Sequence, residues 1–198
     1  DPAALTAFKL ANEAVLIQQS RSSREVRELK VDRSARLGFD REAPTSSYPE
    51  VGSEKGYWRA FQIAFLLMAL KSSVDGDDED RERVELIWFP TGGGKTEAYL
   101  GLAAFTLFHR RLMDSEDAGT QILMRYTLRL LTAQQFQRAC GLICAMEAIR
   151  REKRDGIQLG KEPFTIGIWV GMSTTPNSNE EACKKYSALL DRKSTRLN

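Results

Sequence analysis

The sequence predicts an α/β domain, a parallel β-sheet flanked by helices, with a helical extension ahead of it. Three observations lead there. Val84-Glu85-Leu86-Ile87-Trp88-Phe89 is an apolar run rich in β-formers that passes through a glycine triplet into a helical segment. Two further β-like runs, 120–126 and 164–171, each follow a helix-length stretch with a packing face. Strands that alternate with helices of that length are joined by crossovers, which is how parallel sheets are built.

Residues from Pro2 to about Ser20 read as a helix, because Pro2 suits a first turn and Leu5, Phe8, Ala11, Val15 and Leu16 keep near one face. From Arg21 to Arg36 a basic residue falls at every third position, diluted by Glu25, Glu28 and Asp32. A three-residue step spirals around a helix, so this stretch reads as a solvated helix more than as a nucleic-acid surface. Gly38 to Gly56, with Pro44, Thr45, Ser46, Ser47, Pro49, Gly52 and Ser53, is linker by composition. A mostly buried helix is then expected over Tyr57 to Met68. Asp77-Asp78-Glu79-Asp80 is read as a polar loop, since it precedes the glycine triplet and sits in polar surroundings instead of closing a buried strand.

The segment Pro90-Thr91-Gly92-Gly93-Gly94-Lys95-Thr96-Glu97 carries the chemistry. Several backbone N–H groups can approach a phosphate together only where the chain curls tightly, which side-chain-free glycines permit. The helix that follows aims its positive dipole end at the same anion. Lys95 can reach the outer phosphates, and the Thr96 hydroxyl suits a Mg²⁺ shell. An ATP-binding loop is the reading. The strict pattern has a further glycine where this chain has Phe89.

Beyond the loop, a helix is expected over Glu97 to Met113, packing through Leu100, Ala103, Ala104, Leu107 and Leu112, with His109 at the surface beside Arg110 and Arg111. Thr120 to Tyr126 reads as a strand, and the following helix runs to about Arg151–Gly156. Cys140 and Cys144, four apart on that helix, read as core packing, with no further Cys or His nearby to share a metal. Phe164, Ile166, Ile168 and Val170 alternate as in a last strand.

Composition is that of ordinary globular material: 198 residues, 42% hydrophobic, 28% charged, net charge +2. So small a charge means that nucleic-acid contact must come from local patches. Cys140, Cys144 and Cys183, without a paired framework, fit a reducing cytoplasm. The strongest apolar run, Ala64 to Leu70, is too short to cross a bilayer, so no membrane role is expected.

The loop, with Pro-Thr-Gly-Gly-Gly-Lys-Thr-Glu in place of the strict pattern, resembles motif I of the superfamily 2 helicases. Arg59-Ala60-Phe61-Gln62 resembles the arginine, aromatic, glutamine element ahead of that motif, where Gln62 would read an adenine edge with its donor and acceptor; the alternative is a glutamine on the helix surface. Thr127-Leu128-Arg129-Leu130-Leu131-Thr132-Ala133-Gln134 resembles motif Ia, with Leu128 where Thr is usual, so that Thr127 would have to supply the hydroxyl. Gly171 falls where these helicases place a glycine against the nucleic-acid backbone, and equally where a plain turn would have one. More narrowly, 88–105 and 124–136 resemble the helicase component of the bacterial DISARM phage-defence systems.

That resemblance implies a partial RecA-like P-loop NTPase domain over 56–190, a helical extension and linker over 1–55, and an ATP-dependent, DNA-acting enzyme. It implies nucleotide contacts at Arg59, Gln62, Thr91, Gly92, Gly93, Gly94, Lys95, Thr96 and Glu97, with Lys95 and Thr96 serving catalysis and Thr96 the Mg²⁺. It further implies nucleic-acid contacts at Thr127, Arg129, Gln134 and Gly171, and other phage-defence components as partners. Residues 191–198 resemble translated adapter sequence and are read as a non-native tail on a fragment that ends before motif II. Such a fragment is expected to bind nucleotide without hydrolysing it. A P-loop ATPase driving protein remodelling or signalling without nucleic acid, or a DNA-binding module that holds nucleotide only structurally, are the other classes left open.

Overall fold

The structure is a computed structural model that describes residues 1–21, 29–31, 37–39, 56–88, 90, 92–126, 129–152, 154, 156–169, 176 and 178–195; for 29–31, 37–39, 129–132 and 189–195 the description is of the backbone. In chain order its elements are α1 (Pro2–Arg21), β1 (Leu29–Val31), β2 (Leu37–Phe39), α2 (Ala60–Val74), a 3₁₀ turn (Glu79–Glu82), α3 (Lys95–Met113), α4 (Arg129–Arg151) and α5 (Asn179–Thr195).

Helix α1 begins where its sequence says. Pro2 takes the first helical position, where a missing N–H costs nothing, and the Ala3 N–H donates to Asp1 Oδ1 at 2.9 Å. Small side chains along one face, Ala7, Ala11 and Ala14, let α1 approach its neighbours closely, with Leu10 and Val15 filling the gaps. These residues share a single core with Leu100, Ala104, Phe105 and Phe108 of α3 and with Ala139, Leu142, Ala145, Met146 and Ile149 of α4. Leu159 and Phe164 close its end, Phe164 meeting Phe108 edge-on at 5.5 Å between centroids. Helix α2 lies along α3, with Phe65 edge-on to Tyr99 at 5.8 Å.

The expected parallel sheet is absent among the described residues. Among the described residues the sheet is two-stranded and antiparallel, β1 with β2 in the register Leu29 to Phe39, Lys30 to Gly38 and Val31 to Leu37. It falls where a solvated helix and the start of a linker were expected. The three segments read as strands, 84–88, 120–126 and 164–169, form no ladder. Val84 is 95% exposed and Trp88 87%, and Leu123 and Trp169 are also exposed. Apolar runs report an affinity for a pleated, half-buried surface, and that affinity is realised only if a neighbouring strand is supplied. Here the buried surface is instead supplied by α1, α3 and α4, which makes this core helical.

His109, expected at the surface, is inside, and so is its neighbour Arg111. His109 is buried, its ring stacked on Phe105 at 5.9 Å and its Nε2 3.3 Å from Asp1 Oδ2, and burial pulls its pKa below the ordinary value. Arg111, 5% exposed, ties Asp117 and the 159–164 segment to α3. Its Nε donates to Asp117 O at 2.6 Å, its Nη1 to Leu159 O at 3.0 Å and Glu162 O at 2.8 Å, and its guanidinium lies 5.1 Å from the Phe164 ring centroid. Gly160 passes so close to Ser115, with φ of +74°, that an added Cβ would land on the Ser115 carbonyl. Cys144, expected in the core, is exposed, and Cys140 is half-buried. The acidic run 77–80 is a turn as expected, with Asp78 paired to Lys71 at 2.7 Å.

Candidate nucleotide-binding loop

The glycine-rich segment turns into α3 through two residues in the left-handed region, Gly92 at φ +81° and Gly94 at φ +90°. Gly94 is the residue that caps α3, and the Gly93 N–H bonds back to Pro90 O at 3.2 Å. Residues with a Cβ rarely hold that conformation. At Gly94 the space is also taken, since a Cβ would lie 2.7 Å from Gln62 Nε2.

Two side chains from the start of α2 grip this turn. Gln62, 4% exposed, accepts from the Arg59 backbone N–H at 2.8 Å through Oε1 and donates through Nε2 to Gly94 O at 2.7 Å. Arg59 Nη1 donates to Gly93 O at 2.9 Å. Consecutive loop carbonyls are thereby held toward α2. In a trans peptide the N–H points away from the carbonyl of the same unit, so fixing the carbonyls of Gly93 and Gly94 turns the N–H groups of Gly94 and Lys95 to the opposite side. Those N–H groups lie at the first turn of α3, where the helix dipole favours an anion. The Lys95 ammonium bonds to Pro90 O at 3.1 Å, folded across the loop.

Glu97, in the first turn of α3, is ion-paired with Arg138 of α4. Its other carboxylate oxygen is 3.4 Å from the position a Gly94 Cβ would take, which puts the carboxylate against the loop. Arg138 is partly buried, and loss of solvent pulls its pKa below the ordinary value, so Glu97 is the counter-charge it has.

Of the residues singled out from the sequence, the structure therefore gathers Arg59, Gln62, Gly92, Gly93, Gly94, Lys95 and Glu97 at one turn, with Thr96 half-buried beside them in the first turn of α3. Gln62 is no surface glutamine. Arg129 opens α4, and Gln134 is exposed on the same helix, one turn before Arg138. Thr91, Thr127 and Gly171 lie outside the described residues. Sequence reasoning passed over Arg138. Its signal was there: it stands one helical turn after Gln134 and so on the same face. A cavity of about 740 Å³ lies elsewhere, between the end of α1 and one face of α4, with Gln18, Gln135, Arg138 and Cys144 among its walls.

No family model matches the chain, and no solved structure matches it. Among curated proteins it is similar to the DISARM protein DrmA of Bacillus paralicheniformis (strain ATCC 9945a / NCIMB 11709 / CD-2), with 46% identity over 143 residues. The chain is a relative of DrmA. The match takes in 69% of the chain but 12% of the DrmA sequence, so the chain spans about an eighth of that protein's length. Among the described residues no helix is long and apolar enough to cross a membrane, and no group of three or more His, Cys, Asp or Glu side chains could hold a metal ion.

Proposed function

We propose that the chain is the ATP-binding part of an ATP-dependent helicase or translocase that acts on DNA in bacterial phage defence. One observation carries the reading: Arg59 and Gln62, more than thirty residues upstream, hold the carbonyls of Gly93 and Gly94, leaving the loop's amides to face an anion. A glycine-rich turn with an incidental lysine has no need of such a grip. Kinship with DrmA supports the defence setting, with other components of that system as partners.

The residues present fit a nucleoside triphosphate. The amides after Gly93 and the start of α3 would cradle the phosphate tail, and Lys95 would leave Pro90 O to reach the outer phosphates. Bound Mg²⁺ would neutralise the developing charge on the phosphates; Thr96 is the one loop hydroxyl placed in the first helical turn to join its shell, the other ligands being nucleotide oxygens and water. Turnover needs acidic groups to hold the ion and orient water. In this reading the chain by itself is expected to bind nucleotide without hydrolysing it. Arg129 and Gln134, on the first turns of α4, are the described residues assigned to the DNA backbone, with Thr127 and Gly171 alongside them in that role.

Lys95→Ala in the full-length protein tests this directly. The expected result is loss of DNA-stimulated ATP hydrolysis and of protection in phage plaque assays. Undiminished hydrolysis would refute the assignment, and hydrolysis lost but indifferent to DNA throughout would move the protein to the ATPases that do without nucleic acid.

A further inference from the structure

A phosphate-binding turn is a poor place for a carboxylate. The first turn of a helix attracts anions in general, its own acidic side chains included, so Glu97 competes for the field that a nucleotide's phosphates would use. Its carboxylate lies against Gly94, next to the residue whose ammonium is to meet the outer phosphates. Left bare, that charge would repel a triphosphate more than a monophosphate, because the repulsion grows with the number of phosphate charges brought near. The structure does not leave it bare. Arg138 reaches over from α4 to take it.

We infer that Arg138 is a positioning residue for the nucleotide site: by neutralising Glu97 and drawing it toward α4, it opens the turn to a triphosphate tail. This rests on the reading of the loop as an ATP site and goes a step past it. Two features make the pair more than a surface bridge. Glu97 is largely withdrawn from water at 19% exposed and Arg138 is partly withdrawn at 37%, so solvent screens the pair less than it would a fully exposed one. The same pair also joins the first turn of α3 to α4 some nine residues after its start. A displacement of α4, such as a ligand on its first turns would cause, would slide Arg138 relative to Glu97 and change triphosphate affinity without touching the loop itself.

The test is calorimetric titration of the chain with ATP and, separately, AMP. Arg138→Ala is expected to weaken ATP about tenfold, equivalent to ~1.4 kcal/mol, while AMP changes less than twofold. The double variant Glu97→Gln with Arg138→Ala is expected to recover ATP affinity to within about threefold of the original, since the repelling charge has gone with its partner. Arg138→Lys, which keeps the charge, guards against a folding defect and is expected to retain most of the affinity. Equal losses for ATP and AMP, or no recovery in the double variant, would overturn the role given to Arg138 while leaving the loop assignment standing. A wild-type chain that binds neither nucleotide would overturn both.

Discussion

Glu147 sits in the middle of α4 and fastens that helix to the region after it, and replacing it should show its worth as a function of pH. Its carboxylate takes both arms of Arg150, at 2.7 Å each, the Nε of Arg151 at 2.8 Å and the backbone N–H of Phe164 at 3.2 Å. The paired Arg150 guanidinium is the main reason its pKa is held down to about 2, against the burial that would raise it, with Arg151 and the Phe164 N–H adding to the effect. A carboxyl that titrates at about 2 folded and at its ordinary 4.5 unfolded contributes on the order of 3 kcal/mol at neutral pH. The sign follows from proton uptake. Below 4.5 the unfolded chain takes a proton that the folded chain refuses, so the contribution is whole above 4.5, falls to ~1.4 kcal/mol at pH 3 and is gone below about 2. Urea unfolding of the wild type and Glu147→Gln should therefore differ by roughly 3 kcal/mol at pH 7 and by less than half of that at pH 3. A difference that stays the same at both pH values would show that the loss comes from packing and not from the ion pair.

Three further substitutions probe the fold and the loop. Gly94→Ala puts a Cβ into the left-handed region and against Gln62, so it should cost ~1–2 kcal/mol in thermal unfolding yet weaken nucleotide binding much more, as measured by titration with ATP; unchanged binding would mean the Gln62 grip is irrelevant to the site. Arg111→Met leaves the carbonyls of Asp117, Leu159 and Glu162 without their donor and should destabilise by ~3–5 kcal/mol in urea, with amide exchange rising first in 157–164. Gly160→Ala drives a methyl group into the Ser115 carbonyl and should cost roughly 3 kcal/mol or more, read as a fall in melting temperature; a stable Gly160→Ala protein would contradict the described path of that turn.

How far the sequence could be read differs from element to element. The boundaries of α1, α3 and α4 were close to legible, because helix bonds run between residues four apart and the capping and spacing signals lie in the same stretch of chain, as at Asp1 and Pro2. The loop leading into α3 was legible for the same reason, as glycine, lysine and threonine stand side by side. What was misread depended on distant partners. Segments 84–88, 120–126 and 164–169 carry the composition of strands, but a strand exists only where another lies beside it, and in the described residues none does. The antiparallel pair 29–31 and 37–39 went unseen under its arginines, since charge spacing says nothing about ladder register.

The chemistry divides along the same line. Residue order by itself determined that a tight glycine turn would feed the first turn of a helix with a lysine at its start, because those properties are local to six residues. Only the tertiary structure decided that Gln62 and Arg59 hold that turn from behind, that Arg138 answers Glu97 from another helix, and that His109 and Arg111 lie inside. The contacts Gln62–Gly94, Arg59–Gly93, Glu97–Arg138 and Asp1–His109 join residues 32, 34, 41 and 108 positions apart, and which charges and amides meet over such distances is settled by how α1, α2, α3 and α4 pack, which no local pattern encodes.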